Sequence, residues 1–355
     1  MSDLLIKNGR IWDGYRFNHG DVLVEKGVIT AIGHDLPYSK GLLFDATGMT
    51  VTPGLVDGHV HFAGPEPDRY GIDPTMSCIP FGVTAAIDAG GAHGDKYLCD
   101  NLIVKNRTFV RIAIKDDTAD FTVTEEKLAL YKENAIGIKV YFDTEKPDVR
   151  SAKPLEQACR FARERGLKVM VHCSDAPVPM AEYLPLLAPG DILTHAYHGA
   201  RNNAAADDFK ALSEAKQRGV IIDAGCAGHI HTGFDNFKAA IKKGILPDII
   251  STDITRASAY VRGGRYGLPM CMSMARAAGM EEADIFRAVT STPARVFGME
   301  HQWGVLKEGQ TADIAVLHYT EEGFALKDRF GGELASDMGY RCKLTVANGI
   351  VVWRD

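Results

Sequence analysis

Two histidines one residue apart, His59 and His61, have a spacing that suggests metal chemistry. They lie in the run PGLVDGHVHF, and a short apolar run of this kind is consistent with a buried strand. Side chains two residues apart on a strand leave the same face, so both imidazoles can converge on one ion. Because such a pair also occurs as core or surface residues, other parts of the chain must decide between these interpretations.

Further ionisable side chains fall at the ends of other apolar runs. His172 ends LKVMVH, His195 follows DILT, and Asp253 follows IIST. Taken singly, either histidine could be hydrogen-bonded beneath a loop, and the aspartate could be a helix N-cap. Taken together, these structural interpretations would require several unrelated coincidences. The grouping therefore predicts a site that performs chemistry.

Lys139 indicates which kind of metal site this would be. It is flanked by Ile138 and Val140 near the end of an apolar run, where a bare buried cation would be costly. One interpretation is an ion pair with Asp116 or Asp143. The other is that neighbouring cations depress the pKa of the amine, which then reacts with carbon dioxide. The resulting carbamate is an anionic ligand with two oxygens that can bridge two metals.

These candidates share a position in the predicted secondary structure. Short apolar strands alternate with segments in which apolar residues recur three and four apart, as in amphipathic helices. Eight such units in about 250 residues match a (β/α)8 TIM barrel, in which catalytic groups lie at the carboxyl ends of the strands. An open doubly wound sheet is the alternative. Read at that end, the strands supply His59 and His61, Asp88, Lys115 and Asp116, Lys139 and Tyr141, His172, His195, Asp223 and Asp253.

Both ends of the chain are β-rich. LLIKNGRIW and DVLVEKGVITAIG near one end, and GVLKEGQTADIAVL and KLTVANGIVVW near the other, carry Gly and Asn turn signals. Because domain termini commonly lie close together, we expect the two ends to pair in one small β-sandwich. The predicted α/β architecture is thus a sandwich of residues 1–50 plus 305–355 and a barrel of residues 51–304.

Composition excludes several kinds of partner. The 355 residues carry a net charge of -6 and no basic cluster, which argues against nucleic acid. Seven cysteines, an odd number without a CxxC pair, favour a reducing compartment over a disulfide framework. No run approaches about 18 apolar residues and no signal-peptide core opens the chain. We therefore expect no membrane partner and a cytoplasmic location.

The motifs described above resemble the amidohydrolase superfamily, in the branch with two metals and a carboxylated lysine. The resemblance rests on PGLVDGHVHF, the Lys139 strand, His172, His195 and the STD that ends in Asp253. It covers essentially the whole chain, because GVLKEGQTADIAVL is similar to a return strand pair of that superfamily's flanking sandwich. Within the superfamily, GIDPTMSCIPFGVTAAIDAGG, DILTHAYHG and PDIISTDI are similar to a dihydroorotase-like and deacetylase-like subgroup.

The resemblance implies a ligand set and a mechanism. The expected cofactors are two divalent ions, zinc by default, bridged by a hydroxide and by a carbamate formed on Lys139 from carbon dioxide. Asp253 is the expected general base and then general acid, and it serves also as a ligand. The implied ligands of the first ion are His59, His61 and Asp253, and those of the second are His172 and His195, with Lys139 shared.

The predicted function is hydrolysis of an amide or ester bond, as in deacetylation, of a small acylated amino or hydroxy acid. Dihydroorotases carry HxHxR, whereas Ala63 stands in the arginine position here, which argues against pyrimidine biosynthesis. A cyclic amidohydrolase of the dihydroorotase or hydantoinase type is the alternative, and a non-catalytic scaffold is the third. The resemblance is compatible with assembly of the protein as a homo-oligomer.

Substrate contacts are predicted at three positions, each with an alternative. Tyr141 could stabilise an oxyanion or simply pack, and His198 could bind substrate or cap a loop. Arg262 could hold a substrate carboxylate or pair with surface acids. A second HxH, His229 and His231, lies in a Gly-rich loop, where we expect a loop contact or a gate rather than a third metal.

Overall fold

The computed structural model describes residues 3–38, 40–63, 70–90, 103–261 and 266–355. Its first strands belong to a sheet that the two ends of the chain build together. The amino-terminal strands of this sheet are β1 (Leu4–Trp12), β2 (Phe17–Glu25), β3 (Val28–Gly33), β4 (Leu42–Asp45) and β5 (Thr50–Pro53).

Seven parallel strands follow and pair with one another in chain order, as expected when each is connected to the next by a crossover. They are β6 (Leu55–Val60), β7 (Val83–Asp88), β8 (Lys105–Arg111), β11 (Ala135–Tyr141), β12 (Lys168–His172), β13 (Ile192–Thr194) and β14 (Ile221–Asp223). A short antiparallel hairpin, β9 (Ala113–Lys115) with β10 (Thr118–Asp120), lies between β8 and β11.

Residues 249–254 close this sheet into a barrel. Ile249 pairs in parallel with Asp223 at one edge, and Ile254 pairs in parallel with Val60 at the other. The N–H of His61 donates to the Ile254 carbonyl at 3.1 Å, which adds a ladder hydrogen bond at the second edge. Because one segment joins both edges, the prediction of a (β/α)8 barrel is confirmed and the open sheet is excluded.

Helices flank the barrel strands and pack on their outward-facing side chains. The described helices are α1 (Pro74–Ser77), α2 (Thr122–Tyr131), α3 (Lys153–Glu164), α4 (Met180–Tyr183), α5 (Lys210–Gln217), α6 (Phe234–Lys242), α7 (Leu268–Ala277), α8 (Glu282–Ala288) and α9 (Ser291–Val296). No helix in the described part of the chain is long and apolar enough to span a membrane.

Alternation along the strands decides which side chains reach the barrel interior. Ile138 and Val140 of β11 belong to the cluster that packs between sheet and helices, so Lys139 points to the opposite side, into the barrel. The lower barrel interior is a separate apolar cluster that includes Phe109 and Met170. The polar groups therefore collect above this apolar floor, at the carboxyl ends of the strands.

The third barrel strand ends earlier than the sequence suggested. We predicted Lys115 and Asp116 at its end, and this is wrong, because β8 ends at Arg111 and the following residues form a hairpin. Asp116 and Asp117 make the tight turn of this hairpin with φ values of 48° and 57°. Arg111 therefore takes the position at the barrel mouth.

Strands from the carboxyl terminus complete the sheet built from both ends. They are β15 (Ile314–Thr320), β18 (Gly339–Ala347) and β19 (Ile350–Arg354), while β16 (Phe324–Lys327) and β17 (Glu333–Ser336) form a separate hairpin. The two ends meet where β5 pairs antiparallel with β15. The pairing expected between the ends is therefore confirmed, while the domain limits at 50 and 305 stay a prediction.

Candidate active site

Three side chains at the first and last barrel positions converge on one point. His59 and His61 come from β6 and the residues that follow it, and Asp253 comes from the closing segment. The Nε2 atoms of His59 and His61 lie 3.2 and 2.9 Å from Asp253 Oδ1. All three residues are buried. This group contains the three residues predicted to share one ion.

A second group of three lies beside the first. His172 ends β12, His195 follows β13, and the His195 Nε2 atom is 3.0 Å from His172 Nδ1. His231 joins them from the loop after β14, with its ring centroid 4.3 Å from that of His195. A side chain expected only to contact a loop or gate the site is therefore the third member of this group.

Lys139 lies beside the first group and lines the same cavity as His61 and His172. Its Nζ atom is 3.0 Å from His59 Nε2, and the side chain is buried. Burial lowers the pKa of the amine, Asp253 and Asp223 oppose this shift, and the nearby Arg111 adds to it, so that the net pKa is about 7. The ion pair with Asp116 or Asp143 that we considered is not formed within the described structure. Lys139 is thus partly uncharged at neutral pH.

Residues behind the histidines orient the rings. The Gly225 carbonyl accepts a hydrogen bond from His195 Nδ1 at 2.6 Å, which leaves the Nε2 lone pair directed at the site. Thr194 Oγ1 lies 2.9 Å from His59 Nδ1 and has the same effect on that ring. Asp143 Oδ2 lies 3.4 Å from His172 Nε2. Such partners hold imidazoles in the orientation that ligation requires.

The backbone also turns unusually at two of these residues. His195 and Asp253 have φ values of 63° and 48°, in the left-handed region that side chains other than glycine rarely adopt. Each such residue costs on the order of 1–3 kcal/mol and persists only where the surroundings impose it. Both side chains belong to the two three-residue groups at the barrel mouth.

The protonation states match those of metal ligands. Burial lowers the pKa of His59 to about 4 and that of His195 well below its usual value. Burial opposes ionisation of Asp253, but the neighbouring His59 and His61 rings bring the net pKa below its usual value. At neutral pH the His59 and His195 imidazoles therefore present lone pairs, and the carboxylate is ionised.

The first group suits a divalent ion. Asp253 Oδ1 is buried and has no hydrogen-bond partner of acceptable geometry, although two imidazole nitrogens lie near it. Ligand atoms about 2.0–2.1 Å from a tetrahedral ion lie roughly 3.3 Å apart, close to the 3.2 and 2.9 Å separations here. Two nitrogens and a carboxylate oxygen are donors that zinc accepts. The residues present therefore fit the metal that the resemblance implies.

A cavity of about 310 Å³ opens above these groups. Its walls include His61, Lys139 and His172, so a molecule in the cavity touches both groups. Tyr141 also lines it, with its ring stacked on His172 at a centroid distance of 4.1 Å. The Tyr141 hydroxyl donates to Glu145 Oε2 at 2.9 Å. The predicted position of Tyr141 at the mouth is therefore observed.

The other two predicted substrate contacts have different outcomes. His198 is completely buried and lines neither cavity that contains the site residues, and its Nε2 atom lies 3.9 Å from Cys173 Sγ. The structure does not bring it to the mouth. Arg262 lies outside the described residues.

Sequence reasoning missed two cations at the mouth. Arg111 and Lys146 line the same cavity as Lys139 and His172. Arg111 would have been identified if the end of β8 had been predicted correctly. Lys146 lies five residues beyond the end of β11, where no alternation of apolar residues marks its position.

The sequence of the whole barrel and of most of the carboxyl-terminal end matches a known family. The model of the amidohydrolase family matches residues 50–351, and the chain belongs to this family. It is therefore a hydrolase acting on carbon–nitrogen bonds, in a family that is typically metal-dependent.

Individual proteins agree with this assignment. A protein of Enterococcus faecalis named deacetylase is 29% identical, over 93% of this chain and 93% of its own length. A dihydroorotase of Trichlorobacter lovleyi is 24% identical over 99% of both chains. The crystal structure of a dihydroorotase superposes with a TM-score of 0.87 at 23% identity and covers 99% of both chains. The last likeness shows the fold alone.

Proposed function

We propose that this protein is a zinc-dependent hydrolase that removes a small acyl group, such as acetyl, from an acylated amino or hydroxy acid. The observation that carries the proposal is the pair of three-residue donor groups that lie with Lys139 at the mouth of a barrel. The deacetylase names of relatives from Enterococcus faecalis and Brucella anthropi support removal of an acetyl group.

In this proposal His59, His61 and Asp253 hold one ion, and His172 and His195 hold the second. Lys139 carries a carbamate derived from carbon dioxide, for which an amine with a pKa near 7 is suited because its uncharged form is the nucleophile. Bound together, two divalent ions supply a water nucleophile at neutral pH and polarise the substrate carbonyl. His231 is the third member of the second group, and its side chain is 15% exposed.

The residues of the chain then have separate tasks. Asp253 accepts a proton on a carboxylate oxygen as the acyl carbon is attacked, and it delivers this proton to the departing nitrogen or oxygen. Its low pKa keeps the carboxylate ionised at rest, which the first transfer requires. Tyr141 stands at the cavity wall, where its phenolic hydroxyl can donate to the developing oxyanion once it turns away from Glu145.

A cyclic amide is the second candidate substrate, because several relatives and structural neighbours are named dihydroorotase or hydantoinase. The same site would open a ring by the same attack. Ala63, where dihydroorotases carry an arginine, argues against dihydroorotate itself.

The test uses protein loaded with zinc in the presence of bicarbonate. N-acetyl amino acids, acetylated hydroxy acids, hydantoins and dihydroorotate are assayed side by side, and metal content is measured on the same samples. We expect about two ions per chain and turnover of acyclic acyl compounds. Turnover of hydantoins alone would establish the alternative, and less than about one ion per chain would contradict both enzymatic proposals.

We also propose a cytoplasmic location, in keeping with the odd number of cysteines and the lack of CxxC pairs. A homo-oligomer is proposed from the resemblance, and its test is the molar mass in solution. A small molecule is the expected partner.

A further inference from the structure

Two exposed cations stand on one wall of the active-site cavity. Arg111 ends β8, and Lys146 follows β11, the neighbouring strand. The Arg111 guanidinium carbon lies 5.4 Å from the centroid of the Tyr141 ring, and Lys146 Nζ lies 5.8 Å from the same centroid. Because Tyr141 stacks on His172, both cations lie within about one side-chain length of the second histidine group.

Both cations line the active-site cavity. Within the residues that the structure describes, neither Arg111 nor Lys146 has a carboxylate oxygen within 4.0 Å. The nearby carboxylates have other partners, since Glu145 accepts from Tyr141 and Asp148 accepts from the Asp116 N–H at 3.0 Å. Two cations that have no carboxylate partner among the described residues, placed beside a reaction centre, attract an anionic group of the substrate.

Arg329 is the competing candidate for this role. It lines a second cavity of about 270 Å³ together with His231 and Asp253. Its Nη1 atom, however, lies 3.6 Å from Glu145 Oε1, so part of its charge is already compensated. Within the described part of the chain, Arg111 and Lys146 have no such carboxylate partner and are therefore the better site for an anion.

A groove continues outward from the two cations. This groove has a volume of about 440 Å³ and shares Arg111, Tyr141 and Lys146 with the active-site cavity. Its apolar wall includes Val123, whose side chain is 56% exposed although it is branched and apolar. The remaining apolar lining residues are Ile112, Ala113, Ile114 and Val149, with Lys127 and Asp148 as the other charged residues of the groove. An apolar side chain placed here would be removed from water.

We propose that Arg111 and Lys146 bind the carboxylate of the substrate and that the adjoining groove receives a large apolar side chain attached next to that carboxylate. The inference rests on the proposed hydrolase function and narrows its substrate to acyl derivatives of apolar amino acids or of the corresponding hydroxy acids. The planar guanidinium suits a two-point contact with a carboxylate, and the lysine adds a point charge. The acyl group then faces the groups around Lys139.

The experiment compares three probes on the zinc-loaded protein: N-acetylleucine in both enantiomers, its carboxamide, and N-acetylglycine. For R111Q and K146Q, we expect KM for the better N-acetylleucine enantiomer to rise about ten- to a hundredfold, because each variant loses a hydrogen bond between charged groups. The expected kcat changes less than KM, and the kinetics of the carboxamide are unchanged. N-acetylglycine should be a poorer substrate for the parent protein, because it leaves the groove empty.

K115Q is the matched control, because Lys115 is an exposed lysine of the neighbouring hairpin that lines neither cavity. Its KM should equal that of the parent. R111K retains the charge and should recover part of the loss. An unchanged preference for the acid over the carboxamide in R111Q and K146Q would overturn the proposal, as would equal kcat/KM for N-acetylglycine and N-acetylleucine.

A binding measurement separates this proposal from the function on which it rests. Asp253→Asn removes the proposed general base, so calorimetry can follow N-acetylleucine binding to D253N and to D253N/R111Q without turnover. Weaker binding to the double variant supports the carboxylate site even where the parent hydrolyses no acyl compound. Equal affinity of the two proteins, or no binding to D253N, overturns it.

Discussion

Asp253 combines properties that rarely occur together in one carboxylate. It is buried, its backbone has a φ of 48°, and the histidines around it nevertheless keep its pKa below the usual value. An ionised carboxylate in such a place is stabilised only by the groups it faces. These properties suit a residue that both binds a cation and receives a proton.

Asp253→Asn should lower kcat by about 10²- to 10⁴-fold, because the amide cannot take up the proton. The amide oxygen keeps one ligand atom, so much of the zinc should stay bound. Steady-state kinetics and elemental analysis of the same preparation check this. Asp235→Asn is the control, since Asp235 is an exposed acid near the start of α6. Activity of the Asp253→Asn protein within about tenfold of the parent would contradict the role given to Asp253.

Lys139→Met should reduce the zinc bound per chain and remove its dependence on bicarbonate, because no carbamate can form on a thioether. The parent protein should bind more zinc with bicarbonate than without it. Elemental analysis of both proteins, prepared with and without bicarbonate, is the measurement. K115M is the matched control because it removes an exposed lysine, and equal zinc contents in all preparations would argue against a carbamate ligand.

At the scale of an element, the turn after β14 supports the second histidine group. Gly225 has a φ of 52°, and its carbonyl accepts from His195. A Cβ added at Gly225 would lie 2.5 Å from His195 Nδ1 and 2.4 Å from Thr194 Oγ1. Both distances are shorter than non-bonded atoms allow, so the strand end can hold the histidine only if this position lacks a side chain.

Gly225→Ala should therefore displace His195, with a loss of zinc from the second group and a large fall in activity. Zinc content, kcat/KM and the thermal midpoint of the same protein are the readouts. Gly244 is the matched control, since its φ of 76° imposes the same backbone strain while nothing lies within 4 Å of an added Cβ. If G244A and G225A lose zinc and activity equally, the effect is strain and not contact with His195.

At the scale of the whole molecule, the sheet built from both chain ends is attached to the barrel through Trp12. Its ring is fully buried, 4.8 Å from the centroid of Phe17 and 6.0 Å from that of Phe286. The indole N–H donates to Thr290 Oγ1 at 3.0 Å. Apolar burial and a polar contact thus join strand β1 to the residues that precede α9.

Trp12→Ala should lower the free energy of unfolding by about 3–5 kcal/mol, because a large cavity replaces the ring between sheet and barrel. Thermal and urea unfolding, followed by circular dichroism, measure the loss. W353A is the control, since Trp353 is 36% exposed. The KM of the folded W12A protein should be unchanged, because Trp12 lines none of the cavities around the site. A free energy of unfolding equal to that of W353A would contradict the role of Trp12 in joining the sheet to the barrel.

Local patterns in the sequence determined the barrel and the positions of most site residues. Strand alternation is a short-range property, so it places Lys139 inward from its two apolar neighbours without knowledge of the fold. The parallel arrangement then brings the strand ends to one mouth, which is why His59 and Asp253 could be associated across nearly two hundred residues of sequence.

Tertiary structure alone decided what fills the space above those strand ends. His231 reaches the second group through a loop in which Ala227 and Gly228 have positive φ values, and no periodic pattern encodes such a path. Arg111 gained its position because the chain turns at Asp116 into a hairpin instead of extending the strand. The alternation of side chains along a strand is set by neighbouring residues, whereas loop side chains are placed by long-range packing. The proposed reaction centre could therefore be predicted from the sequence, and the proposed carboxylate site could not.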